Sequence, residues 1–255
     1  MGAGGGFILV PILLFLYPDR SPHEITAISL LVVFFNALSG SGAYARQRRI
    51  DYRSGLWFAA GTLPGAVAGV LLVGAVPRRL FEAIFAIALA ALAANLIFRS
   101  PGGAIQAPVT GRGVVRRTIR DRYGNRYVYS FQLWKGVTLS VGVGLVSSLL
   151  GIGGGILHVP IMSTLLHFPV HTAVATSQFT LAFMTAEASL VHVATGTLTW
   201  GVALGEAGLL ALGVIPGAQA GAWLSRRLGG TMITRVLAAS LLVVGGRLAL
   251  SAIQG

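Results

Sequence analysis

Residues 136–166 read GVTLSVGVGLVSSLLGIGGGILHVPIMSTLL, a run without one Asp, Glu, Lys or Arg. As one straight helix it would extend about 46 Å at ~1.5 Å per residue. A bilayer's hydrocarbon core is only about 30 Å thick. The run therefore has to break, and Gly151-Ile152-Gly153-Gly154-Gly155 is where it can. Glycine reaches backbone conformations closed to other residues. The spacing predicts two half-helices meeting at a glycine turn, an arrangement common where transporters hold their cargo. The period-two alternation of a membrane barrel strand is missing. Backbone groups in lipid must be satisfied within their own segment, so the run reads as helix.

The rest of the chain has the same character. Of its 255 residues, 55% are hydrophobic and 10% are charged. Soluble domains carry about 25% charged residues. Apolar runs cover residues 2–17, 25–45, 55–76, 80–98, 136–166, 172–195, 201–224 and 231–252. This excludes a water-soluble domain, a disordered chain and a nucleic-acid-binding module. The expected fold class is all-α: a polytopic, multi-pass integral membrane protein of seven to eight hydrophobic segments with Gly-rich, broken or re-entrant helices. The expected location is the bacterial cytoplasmic (inner) membrane. With no Cys, disulfides and thiolate metal sites are absent.

The glycine cluster occurs twice. Gly2-Ala3-Gly4-Gly5-Gly6 matches 151–155, Val10-Pro11-Ile12 matches Val159-Pro160-Ile161, and Gly61–Ala66 matches Gly213–Ala218. Each of the last pair carries Pro followed by small-xxx-small spacing, Gly65 to Gly69 and Gly217 to Gly221, which lets helices approach closely in lipid. The expectation is two homologous repeats of about four segments each. Residues 1–98 form the first, which lacks the half-helix that precedes the glycines in the second, either because the true start lies upstream of Met1 or because this half has lost that segment. Residues 136–255 form the second, and 99–135 form a basic linker. Within the linker, Tyr123-Gly124-Asn125 between β-formers predicts a hairpin. If every run spans, the repeats are parallel. If the glycine segments are re-entrant, the repeats are inverted, and the distribution of cations mildly favours inversion.

The net charge of +12 would suggest nucleic acid in a soluble chain. Here Arg46, Arg48, Arg49 and Arg53 sit in one loop, and Arg112, Arg116, Arg117, Arg120, Arg122 and Arg126 sit in the linker. Basic loops mark the cytoplasmic side and favour anionic lipids. No nucleic-acid partner is expected, and a homo-oligomer is left open.

Candidate site residues follow from the duplicated motif. Glycines bare the backbone, and the helix after them begins with unpaired N–H groups that favour anions. The motif positions are Gly4, Gly5, Gly6 and Pro11, with Gly153, Gly154, Gly155 and Pro160. Ser29 and Asn36 form a polar stripe after the first cluster. Thr172, Thr176 and Thr180, with Ser177 and Gln178 beside them, follow the second. Such hydroxyls either line a hydrated path or bond neighbouring helices. Glu187 is the most central carboxylate in any apolar run, and ionisable residues in membranes default to function. His158 and His192 are its candidate partners in a proton relay, whereas a neutral Glu187 would serve as a structural donor. No metal-ligand spacing, cofactor motif or nucleophile–base set accompanies these residues, so neither a cofactor nor an enzyme is expected.

Together these pieces resemble the sulfite exporter TauE/SafE family. The resemblance is carried by the paired Gly-x-Gly-Gly-Gly-x₄-Pro motifs, Ala175-Thr176-Ser177, the Pro-Gly-Ala helices and Arg48-Arg49-Ile50-Asp51-Tyr52. It implies a permease or exporter of small sulfur-containing oxyanions such as sulfite or a sulfonate. The Thr-Ser pair occurs only in the second half, since Ile28-Ser29 stands in the first. The contrasting expectation is a membrane scaffold or assembly protein without transport, docking a partner at 99–135.

Overall fold

A computed structural model describes residues 4–98 and 113–225, with isolated positions beyond 225. The first linker residues and most of the 231–252 run lie outside the described residues. The order is α1 (Gly6–Leu16), α2 (Pro22–Arg46), α3 (Tyr52–Val73), α4 (Arg78–Phe98), β1 (Val114–Arg120), β2 (Arg126–Gln132), α5 (Leu133–Leu150), α6 (Gly155–Pro160), α7 (Val170–Ala194) and α8 (Val202–Ser225). A π-helical turn, Ile161–Leu165, continues α6. Four of these helices, α2, α3, α5 and the Gly205–Leu224 part of α8, are long and apolar enough to cross a membrane.

Helix ends follow local chemistry. Ser21 caps α2 by accepting from the Glu24 N–H, with Pro22 at the first helical position. Asp51 caps α3 by accepting from the Ser54 N–H at 3.1 Å. The 136–166 run breaks as expected: α5 stops at Leu150, and Gly151 and Gly153 take φ of +68° and +70°. Pro160 lacks an N–H, and the widened turn follows it directly. There the Ser163 and Thr164 hydroxyls donate to the Pro160 carbonyl.

The helices run between two faces. One carries the hairpin, with Arg122 N–H donating to the Gln47 carbonyl just past α2. α2 starts at the opposite face, where the His23 ring lies 5.0 Å from His192 near the end of α7. α2 and α7 are therefore antiparallel. α3 leaves the hairpin face, whereas α8 starts at the opposite face, where Glu206 pairs with Arg20. It ends at the hairpin face beside Gln47, near Ala222. α5 leaves the hairpin face and the α6 segment returns to it, so the chain doubles back at the glycine turn. Phe168 beyond it packs on Tyr129 of β2 at 4.3 Å between centroids.

α3 packs against α5 with backbones in contact. A Cβ at Gly65 would overlap the Val141 carbonyl, one at Gly69 the Leu145 carbonyl, and one at Gly144 the Thr62 carbonyl. The first small-xxx-small stripe thus does what its spacing predicts. Among the described residues, no atom lies within 4 Å of a Cβ built at Gly217 or Gly221. The largest apolar cluster joins Phe7, Val10 and Leu13 of α1, Ile28 of α2, Phe81 and Phe85 of α4, and Leu150, Ile152 and Ile156 around the second glycine turn.

Gly65→Val should lower thermal stability by about 2 kcal/mol or more through overpacking. Gly42→Val, at a glycine with open space around it, should leave it nearly unchanged. Melting curves of the detergent-solubilised variants test the contrast, and equal stabilities would reject the close approach.

Candidate functional site

The two glycine turns meet. A Cβ on Gly6 would stand 2.6 Å from the Ile152 carbonyl oxygen and 2.8 Å from that of Gly151. Gly4 (φ +71°) and Gly153 (φ +70°) lie against the same two side chains, Val33 of α2 and Leu181 of α7. Positive φ and lack of space both demand glycine there. α1 and α6 diverge from this junction toward opposite faces.

Hydroxyls brace the junction. Ser29 donates to the Gly151 carbonyl at 2.7 Å, and Ser177 donates to that of Gly155 at 3.3 Å. An amide pair stands beside it. Gln178 Nε2 donates to Asn36 Oδ1 at 3.0 Å and to the Asn36 carbonyl at 3.3 Å. A Cβ on Gly5 would lie 3.7 Å from Asn36 Nδ2. Gln178 Oε1 is buried with no partner among the described residues. The expected residues Gly4–Gly6, Gly153–Gly155, Ser29, Asn36, Ser177 and Gln178 thus converge. Pro11 lies within α1, and Pro160 ends α6.

Other expectations separate. The threonine stripe of α7 faces the start of α3: the Asp51 N–H donates to Thr176 at 3.0 Å, and Thr180 donates to the Gly55 carbonyl. Both hydroxyls thus bond a neighbouring helix or its cap. The candidate relay residues have different neighbours. His158 Nε2 sits 3.1 Å from Ser140 Oγ, and the ring stacks on Phe58. His192 faces His23 near the opposite face. Among the described residues, no hydrogen bond links either imidazole to Glu187, whose buried Oε2 has no partner. Among the same residues no metal-binding group of His, Asp or Glu forms.

The residues that sequence reasoning undervalued are two aspartates on the hairpin face. Asp51 also accepts from the Tyr129 hydroxyl at 2.8 Å and lies 3.5 Å from Arg117 Nε. Burial, then the Asp51 charge and hydrogen bond, push the Tyr129 hydroxyl's pKa up, so it stays a donor. Asp121 accepts from the backbone N–H groups of Tyr123 and Asn125, from Asn125 Nδ2, and from Arg49 Nε and Nη2. Burial alone would raise the Asp121 pKa; the hydrogen bonds from Asn125, Arg49 and Tyr123 outweigh it and hold the carboxyl below its usual 3.8. The Arg49–Asp121 pair, 7% and 0% exposed in its side chains, ties the α2–α3 loop to the hairpin. The sequence motif Arg48–Tyr52 contained half of this latch; its other half lies 72 residues away.

Arg49→Met should cost about 3–5 kcal/mol, because it strands a buried carboxylate. The pH dependence follows from the lowered carboxyl. Its contribution is complete above the unfolded value near 3.8 and disappears as pH falls through the folded value. Tryptic cleavage of the hairpin, slow at neutral pH in the parent chain, should become fast in the variant; unchanged cleavage and stability would reject the latch.

Comparisons with known proteins fit this architecture. "Probable membrane transporter protein YunE" of Bacillus subtilis (strain 168) is 32% identical over 258 residues, covering 97% of this chain and 90% of its own length. "Probable membrane transporter protein MJ0441" of Methanocaldococcus jannaschii is 28% identical over 182 residues, 69% of this chain and 60% of its own. A "Probable membrane transporter protein" of Haemophilus influenzae is 28% identical over 165 residues, 64% of this chain and 55% of its own. No solved structure matches. The model of the sulfite exporter TauE/SafE family matches residues 1–248, and the chain belongs to that family.

Proposed function

We propose that the protein is a permease that moves a small sulfur-containing oxyanion, sulfite or a sulfonate, across the cytoplasmic membrane. The observation that carries this reading is the meeting of the two glycine turns, Gly4–Gly6 and Gly151–Gly155, beside the Asn36–Gln178 amide pair. Helix starts and amides together offer N–H donors to an oxyanion without a buried cation. The names of the similar proteins, each a "probable membrane transporter protein", support the general class.

The same reading makes the two halves inverted repeats. Its support is the opposite directions of α1 and α6, of α2 and α7, and of α3 and α8. Val33 and Leu181, which both touch both turns, are related by the offset of Ser29 to Ser177. The basic hairpin face is then cytoplasmic. Passage requires the turns to part, since Gly6 leaves no room beside Ile152. Export of an anion from a negative-inside cell is downhill by about 2.3 kcal/mol per charge per 100 mV. Uniport therefore suffices, and Glu187 need carry no proton.

Asn36→Asp tests the site. The new carboxylate still accepts from Gln178, so the fold should persist, but it replaces a donor beside the turns with negative charge. Sulfite flux into proteoliposomes should fall at least about tenfold, the effect of losing one charge-assisted contact. Unchanged flux would reject the site. A parent protein that moves none of sulfite, thiosulfate, sulfoacetate or sulfate would favour the scaffold reading.

A further inference from the structure

The hairpin tip and the end of α2 enclose a cleft of about 680 Å³. Four of its lining side chains are arginines: Arg46, Arg48, Arg120 and Arg122. Among the described residues, none of the four forms an ion pair. The one carboxylate in the wall, Asp121, is 4% exposed and already accepts from Arg49, Tyr123 and Asn125. Among the described residues, no ion pair answers the positive charge that the cleft concentrates.

The backbone beneath it is strained in a telling place. α2 ends with Arg48 N–H donating to the Ala45 carbonyl and Arg49 N–H donating to that of Tyr44. These are the two bonds of a Schellman end, in which the residue at the position of Arg48 is left-handed and usually glycine. Arg48 holds that conformation at φ +55°. A bulky side chain there costs roughly 1 kcal/mol relative to glycine. Arg48 is exposed and lines the cleft. On the other wall, the hairpin register pairs Arg120 with Arg126 across a turn held by Asp121, so Arg120 and Arg122 are presented by rigid backbone. Planar guanidinium forks converging from two elements suit the tetrahedral oxygens of phosphate.

We propose that this cleft is a binding site for a phosphate-bearing anion, a soluble di- or polyphosphate or a phospholipid headgroup, clamped between the end of α2 and the hairpin. The ligand would be distinct from the transported oxyanion and would lock the hairpin against the α2–α3 loop.

Calorimetric titration of the full chain in detergent with inorganic pyrophosphate, at constant ionic strength with chloride as control, reads the site directly. Arg48→Gly is the discriminating variant. Without ligand it should melt no lower than the parent, since glycine relieves the strain, yet its pyrophosphate affinity should fall by about tenfold. Arg120→Gln with Arg122→Gln should abolish binding. Arg116→Gln, which removes a charge from the same hairpin outside the cleft, should stay within about twofold. Binding seen in detergent identifies the soluble source. If pyrophosphate does not bind, phosphatidylglycerol nanodiscs should raise Tm over phosphatidylcholine nanodiscs; loss of that rise in the double variant, with retention in Arg116→Gln, identifies the headgroup. The proposal is overturned by absence of both effects, by binding that survives the double variant, or by equal losses in Arg116→Gln. None of these readouts involves flux, so they stand apart from the transport reading.

Discussion

The structure depends on the contact between two glycine turns inside an apolar bundle. A chain that reverses within lipid leaves backbone groups that only other protein groups can satisfy. Here the reversal at Gly151–Gly155 is answered from α2 by Ser29, which takes the Gly151 carbonyl, and from α7 by Ser177, which takes that of Gly155. The absence of side chains lets the turns come within van der Waals reach of one another. The helices around them are placed by this requirement: α2 and α7 must both pass the junction, and their antiparallel course delivers one hydroxyl from each.

A second constraint acts on the hairpin face and is electrostatic. Two buried aspartates tie separate elements together. Asp51 joins the start of α3 to β1 and β2 through Arg117 and Tyr129. Asp121 joins the hairpin turn to the α2–α3 loop through Arg49. Both lie out of water, so their bonds are strong and their loss would be expensive. This face is also where α5 leaves and the α6 segment returns, with Phe58, Phe131 and Phe168 filling the space between. The hairpin thereby covers the ends of α5 and of the segment after α6.

Much of this was legible in the chain. Run lengths matched the described helices to within about four residues, because apolar segments in lipid have few alternatives to helix. The break at Gly151 followed from a run longer than a bilayer is thick, and the hairpin from Tyr123-Gly124-Asn125. Other features were out of reach for physical reasons. Glu187 and His192 stand five residues apart, about 140° around a helix at ~100° per residue, so sequence proximity put them on different faces. The threonines of α7 recur every four residues, which fixes a face but not its neighbour; α3 turned out to be that neighbour. Nothing in the chain pointed to Asp121, because its partner Arg49 lies 72 residues away in another loop.

Val33 and Leu181 are coupled through the two glycines they touch. Each fills space beside both Gly4 and Gly153, with a Cβ on either glycine lying within about 3 Å of one or both side chains. The two positions therefore share a single volume. A methyl group gained at one must be given up at the other, or the junction is wedged open. Sequences with this architecture should hold the sum of the two side-chain volumes nearly constant while each drifts separately.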